Sequence, residues 1–159
     1  RYVFANLRQT TLSLDTRLDW TFSTTLSLQL YAQPFVSAGR YANFKELLSP
    51  RTRRYGEYGT DRGAISRSAD GVYTIDPDAN GPAPSFELSD PNFDIRSLQG
   101  DAVLRWEYRP GSTIFFVWQQ QRNSVAPIGD FGLTRDLGAI FRETPTNVFL
   151  VKATFWLAR

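Results

Sequence analysis

Apolar and polar residues alternate along much of this chain with a period of two, the repeat of a strand with one greasy and one wet face. Between Thr11 and Phe22, Leu12, Leu14, Leu18, Trp20 and Phe22 share one parity, and Ser13, Asp15, Arg17 and Asp19 share the other. After a turn at Ser23-Thr24-Thr25, Leu26, Leu28, Leu30, Ala32, Pro34 and Val36 oppose Ser27, Gln29, Tyr31, Gln33 and Ser37. A third run sets Leu98, Gly100, Ala102, Leu104, Trp106 and Tyr108 against Gln99, Asp101, Val103, Arg105, Glu107 and Arg109, before Pro110-Gly111-Ser112 turns the chain. The fourth, Thr113 to Gln121, is apolar on both parities and then Gln-rich. The fifth puts Phe149, Val151, Ala153, Phe155 and Leu157 on one face and Leu150, Lys152, Thr154 and Trp156 on the other. The pattern predicts five strands, over about residues 11–22, 26–37, 97–109, 113–122 and 147–157, with a long outer loop over about 39–94.

Strand length then selects a fold. Each run spans roughly 10 to 12 residues, against ~5 to 6 in an average globular strand and ~9 to 11 for a tilted strand crossing a bilayer. Short turns alternate with connections of about 60 and about 25 residues, as periplasmic turns alternate with outer loops in outer-membrane proteins. The expectation is all-β: residues 1–159 as the C-terminal portion of an antiparallel up-and-down transmembrane β-barrel in a bacterial outer membrane. Charge sharpens it, because Asp15, Arg17, Asp19, Asp101, Arg105, Glu107, Arg109 and Lys152 all fall on one parity, assigned to the lumen. Trp20, Phe22, Trp106, Tyr108, Phe155 and Trp156 close the descending runs as an interfacial aromatic girdle, with Phe35, Tyr41 and Trp118 at the outer rim. Since a barrel needs about eight strands or more, the expected partners are outer-membrane lipid and either an upstream part of the same precursor or other chains to complete the wall. The competing architecture is a soluble antiparallel barrel or sandwich, whose apolar face would line a core.

Composition narrows the chemistry. The 159 residues include no His, Cys or Met, which closes off disulfides, Cys/His zinc sites, His- or Met-ligated haem and any histidine-activated nucleophile. A net charge of +2 gives no reason to expect a nucleic-acid partner. No run of about 18 apolar residues predicts a transmembrane helix. Residues 1–10 do not read as a signal peptide, which on the membrane reading makes the chain a piece of a longer precursor.

One motif carries possible metal chemistry. Asp76, Asp78 and Asn80 stand at alternate positions, Gly81 follows, and Glu87 closes the series, which matches the calcium loop of an EF-hand. No amphipathic helices flank it, Pro82 and Pro84 stiffen it, and the same residues are ordinary turn formers. Arg51, Arg53 and Arg54 form a basic cluster suited either to phosphate groups or to a solvated loop face, and Tyr55, Tyr58 and Tyr73 suit either sugar stacking or packing. Asp15, Asp19 and Glu107 lie among Arg17, Arg105 and Arg109, an ion-paired surface with no acid/base pair, so no enzyme is expected. Residues 128–141, with Phe131, Leu133, Leu137, Ile140 and Phe141, predict a short packing helix. The functional expectation is an integral barrel wall, binding glycans or passing solutes, and the alternative is a soluble carbohydrate-binding β-domain with a calcium loop.

As whole strings, TRLDW (16–20), LSLQLYAQPFVSAGRY (26–41), FKEL (44–47), RSLQGDAVLRWEYRPGSTIFFVW (96–118) and NVFLVKATFWL (147–157) carry a resemblance. The chain resembles the C-terminal part of a family of large, uncharacterised bacterial outer-membrane proteins that bear an N-terminal carbohydrate-binding domain of the family-9 type before a barrel. The resemblance implies location, architecture and a sugar-binding domain upstream, and it transfers no site residue. One departure is that Leu157, Ala158 and Arg159 follow the last aromatic residue, Trp156, where such barrels commonly end on one.

Overall fold

The structure is a computed structural model that describes residues 1–157; Ala158 and Arg159 lie outside the described residues. The elements are β1 (Phe4–Ser13), β2 (Thr16–Ser23), β3 (Leu26–Leu47), β4 (Tyr55–Glu57), β5 (Ala64–Arg67), β6 (Tyr73–Asp76), β7 (Phe86–Leu88), β8 (Phe93–Arg109), β9 (Ser112–Ala126), α1 (Leu133–Arg142) and β10 (Thr146–Thr154). Seven strands form one sheet in the order β1-β3-β8-β9-β10, with β2 and β4 also paired to β3, and β5-β6-β7 form a second.

Both sheets are open. The larger one ends at β1 and β10, and no pairing joins those ends among the described residues. This corrects the transmembrane-barrel expectation. Bacterial single-chain barrels close with an even number of strands from about eight upward, and an open sheet edge exposes N–H and C=O groups that hydrocarbon cannot satisfy. The outer-membrane location, the barrel-wall function and the aromatic girdle rested on closure and are withdrawn with it, as is the idea of a lumen. What stands is an all-β fold of two separate sheets plus one short helix. No described helix is long and apolar enough to cross a membrane.

Several strand boundaries depart from the periodicity: β1 begins at Phe4, β8 at Phe93, and β9 runs on to Ala126. The run from Thr11 to Phe22 is divided between β1 and β2 at Leu14-Asp15, and β3 continues to Leu47. Beyond Ser37 the alternation fades because the chain needs a close approach there: a Cβ at Gly39 would lie 2.4 Å from the Phe93 ring.

The chain divides into two compact units, one comprising Arg1–Thr10, Ala38–Asp94 and Pro127–Asp130, the other Thr11–Ser37, Ile95–Ala126 and Phe131–Arg159. The first contains the stretch read as a loop. It is folded around Phe44, Tyr58 and Ile75, with Tyr73, Phe86 and Leu88 packed against them. Its added strands, β4 to β7, are three or four residues each, too short to show a period of two. Tyr58 ties the core to a charge cluster: its hydroxyl donates to Glu46 Oε2 at 2.6 Å, while Arg62 pairs with Glu46 Oε1 at 2.6 Å. Burial first, then the hydrogen bond to Glu46 and its charge, push the phenol up to about 12, with Arg1 opposing.

In the second unit α1 is fixed at both ends. Asp136, fully buried, accepts the Gly132 N–H at 2.7 Å and so caps the helix N-terminus, where negative charge suits the dipole. The same carboxylate meets Arg135 Nε at 2.7 Å and Arg96 of β8 at 3.3 Å. At the other end Arg122 of β9 donates to the carbonyls of Phe141 at 2.6 Å and Glu143 at 3.2 Å. Ile140 is buried between these clamps.

Two measurements check this account. Tyr58 ionises more readily unfolded than folded, so its contribution is present below about pH 10 and lost as pH rises toward about 12. Unfolding followed across that window should show an alkaline loss of stability that shrinks in Tyr58→Phe; an unchanged profile would contradict the assignment. Asp136→Ala should cost about 3–5 kcal/mol in denaturant unfolding, because it removes the buried carboxylate that Arg96, Arg135 and the Gly132 N–H all reach. A loss under about 1 kcal/mol would show that the pair holds nothing.

Candidate functional site

Strand alternation gives the second unit two chemically different faces. On β9 and β10 the antiparallel register sets Phe116 opposite Val151, Trp118 opposite Phe149 and Gln120 opposite Asn147, and paired residues share a face. With Leu28, Ala102 and Leu104 these apolar side chains line an open depression of about 300 Å³. At one end of the face α1 covers the strands: along β9, Gln120, Arg122 and Ser124 are half-buried while Gln121, Asn123 and Val125 between them are exposed. Beyond the helix the face is uncovered.

Where that cover ends, aromatic and amide groups converge. The Trp118 and Phe149 rings lie 6.4 Å apart between centroids and only 13° from parallel. Trp118 is 39% and Phe149 76% exposed, so both offer ring surface to a ligand. Arg122 Nε donates to Gln120 Oε1 at 3.1 Å, Gln120 Nε2 donates to Asn147 Oδ1 at 3.1 Å, and Trp118 Nε1 donates to the same oxygen at 2.9 Å. This chain of bonds orients the Asn147 amide, whose Oδ1 is committed and whose amino group is left as a donor at the platform's rim.

The opposite face is mostly polar along β2, β3 and β8, while on β9 and β10 it also carries Phe115, Val117, Val148 and Leu150. Arg17, Gln29, Tyr31, Asp101 and Val103 line one shallow depression there, and Gln99, Asp101, Gln119, Gln121 and Thr146 contribute to another of about 260 Å³. Asp15 accepts from Tyr31 at 2.9 Å and from Gln33 at 2.6 Å. The bond from Tyr31, followed by burial and by the charges of Asp15 and Asp101, raises the Tyr31 pKa. Arg17 pairs with Asp19 at 3.4 Å, and Arg105 with Glu107 at 3.3 Å. Glu107 also accepts the Gly111 N–H at 3.1 Å, closing the β8–β9 turn. Arg109 ends β8 exposed, and Lys152 on β10 stands opposite Phe115. Asp15, Asp19 and Glu107 are thus each engaged with donors.

The acidic loop residues are placed differently. Asp76 ends β6, and its Oδ1 accepts the N–H groups of Asp78 at 3.3 Å and Ala79 at 3.0 Å, an Asx turn. Asp78 Oδ2 accepts the Ala83 N–H at 3.0 Å, and a Cβ at Gly81 would lie 2.1 Å from that oxygen. Asn80 donates its backbone N–H to the Asp78 carbonyl at 2.9 Å. Glu87 sits on β7 opposite Thr74. Among the described residues no three His, Cys, Asp or Glu side chains are grouped to hold a metal ion.

The remaining aromatics pair locally: Trp20 stacks on Phe22 at 5.8 Å, and Tyr108 meets Trp106 at 6.0 Å and Phe155 at 6.5 Å. The Trp156 N–H donates to Ser112 Oγ at 3.1 Å. Tyr58 and Tyr73 pack inside the first unit, Tyr41 tilts against Phe93, and Tyr55 meets Phe4 edge-on at 5.4 Å. Arg51 has a left-handed backbone at φ 61°, and Arg53 and Arg54 are exposed beside it. Asn147 and Gln120 escaped the sequence reading, which put Trp118 in a girdle; cross-strand register is the signal that brings the three together. Compared with known proteins, the chain matches no family model, no curated protein and no solved structure, and with that and the open sheets the resemblance to outer-membrane proteins with a family-9-type domain is withdrawn.

Proposed function

We propose that this chain is a carbohydrate-binding β-domain that takes an uncharged glycan on the Trp118–Phe149 platform. The observation that carries the reading is a pair of exposed, near-parallel rings with an oriented amide at their edge. A pyranose presents a face of C–H bonds that suits ring surface, and hydroxyls around its rim that suit amide donors. Parity accounts for the preference for neutral sugars. Lys152 on β10 lies on the opposite face from Phe149, and Arg122, beside the platform, directs its Nε to Gln120 and its Nη1 to the carbonyls of Phe141 and Glu143. Binding is the proposed activity, with no catalytic role for Asp15, Asp19 or Glu107. The platform itself calls for no metal, and the Asp76–Glu87 segment is assigned to turn formation.

Affinity electrophoresis or calorimetry against a panel of soluble neutral and acidic polysaccharides tests the reading. Retention by a neutral glycan should fall about 30-fold in Trp118→Ala, corresponding to about 2 kcal/mol for loss of an aromatic anchor. Asn147→Ala should lose about fivefold, corresponding to about 1 kcal/mol for one hydrogen bond. Lys152→Ala and added chelator should change nothing. Absence of retention across the panel, or equal retention by Trp118→Ala, would sink the proposal.

A further inference from the structure

The outer edge of β10 is a second feature of the same sheet. Its nine residues pair with β9 in continuous register from Thr146 to Thr154, and no described strand occupies its other side. Sheets normally protect such an edge with charges, prolines or bulges. The edge strand β2 has such protection, with Arg17, Asp19 and a register shift between Thr21 and Ser23. In β10 there is one lysine, no proline and no shift.

We infer that β10 is a dimerisation strand, which pairs antiparallel with β10 of a second copy of this chain about an axis at Leu150. Its sequence is self-complementary in that register. Full overlap sets Leu150 opposite itself, Phe149 opposite Val151, Val148 opposite Lys152, Asn147 opposite Ala153 and Thr146 opposite Thr154. Aromatic with β-branched, aliphatic with aliphatic and Thr with Thr are favourable cross-strand pairs. The two lysines end four residues apart, about 13 Å along the strand, beyond the screening length at physiological salt. An isologous pairing of this kind closes with two copies, whereas pairing β10 with a different edge would propagate.

The chain has no cysteine, so single-cysteine variants of the full chain report on register directly. Directly opposed residues in antiparallel strands have Cα atoms about 4.5–5.5 Å apart, within disulfide range. On mild oxidation, Leu150→Cys should cross-link into a covalent dimer. Thr146→Cys alone should not, and a mixture of Thr146→Cys with Thr154→Cys should. Sedimentation of the unmodified chain should show a dimer, which Leu150→Lys converts to monomer by raising the dissociation constant at least about 100-fold, two like charges being forced together at the axis. A monomeric unmodified chain, failure of Leu150→Cys to cross-link, or equal cross-linking of Thr146→Cys and Leu150→Cys would each overturn the inference; the last two would indicate pairing through another edge or unspecific association. None of these readouts depends on glycan binding.

Discussion

Successive side chains of a strand leave opposite faces of its sheet, and in the second unit the cover for the apolar face is unequal to its length. The helix α1 shields the strands near Arg96 and Arg122 and stops short of Trp118. Every feature of the candidate site follows from that boundary. Rings that would be core residues beneath a longer helix are surface groups here, and Asn147 and Gln120 lie where packed side chains give way to water. An exposed apolar patch of this kind marks an interaction surface more often than accident.

Polar groups set where the boundary falls. Asp136 is fully buried and is reached by Arg96 of β8 as well as by Arg135 and the Gly132 N–H of its own helix end, so moving α1 along the sheet would break a buried charge pair. Arg122 then serves two ends at once, since its guanidinium holds the α1 carbonyls and its Nε orients Gln120. The helix position and the amide orientation at the platform are therefore one arrangement, coupled through a single arginine. A binding amide held in this way loses little side-chain freedom when a ligand arrives.

The period of two made strands legible wherever one face stays apolar, as in Leu98–Arg109 and Phe149–Ala153. It could not reveal whether the sheet closes, because alternation is a property of each strand and closure depends on which strands meet at the ends. Nor could it reveal the first unit's core. Tyr58, Ile75 and Phe86 come from segments with no repeat to detect, and Gly39 breaks the alternation of β3 for the sake of the Phe93 ring. At the candidate site, Trp118 was visible as an aromatic in an apolar run, whereas its link to Asn147 spans 29 residues and exists only through the β9–β10 register.

The platform and the β10 edge are connected by geometry. Antiparallel pairing about Leu150 keeps the odd positions of both β10 strands on one face, so Phe149 of each copy lies diagonally across the seam from its counterpart, about 7–8 Å away. Trp118 flanks Phe149 on the inner side at 6.4 Å. Four rings then run across the strands in the order Trp118, Phe149, Phe149, Trp118, with an oriented Asn147 amide contributed by each copy. A monomer offers one sugar-sized platform, while the paired sheet offers a row that an extended glycan can span. Two linked contacts raise the effective affinity of such a chain without any new interaction. The same edge that is unprotected against association is thereby the one that aligns two sites.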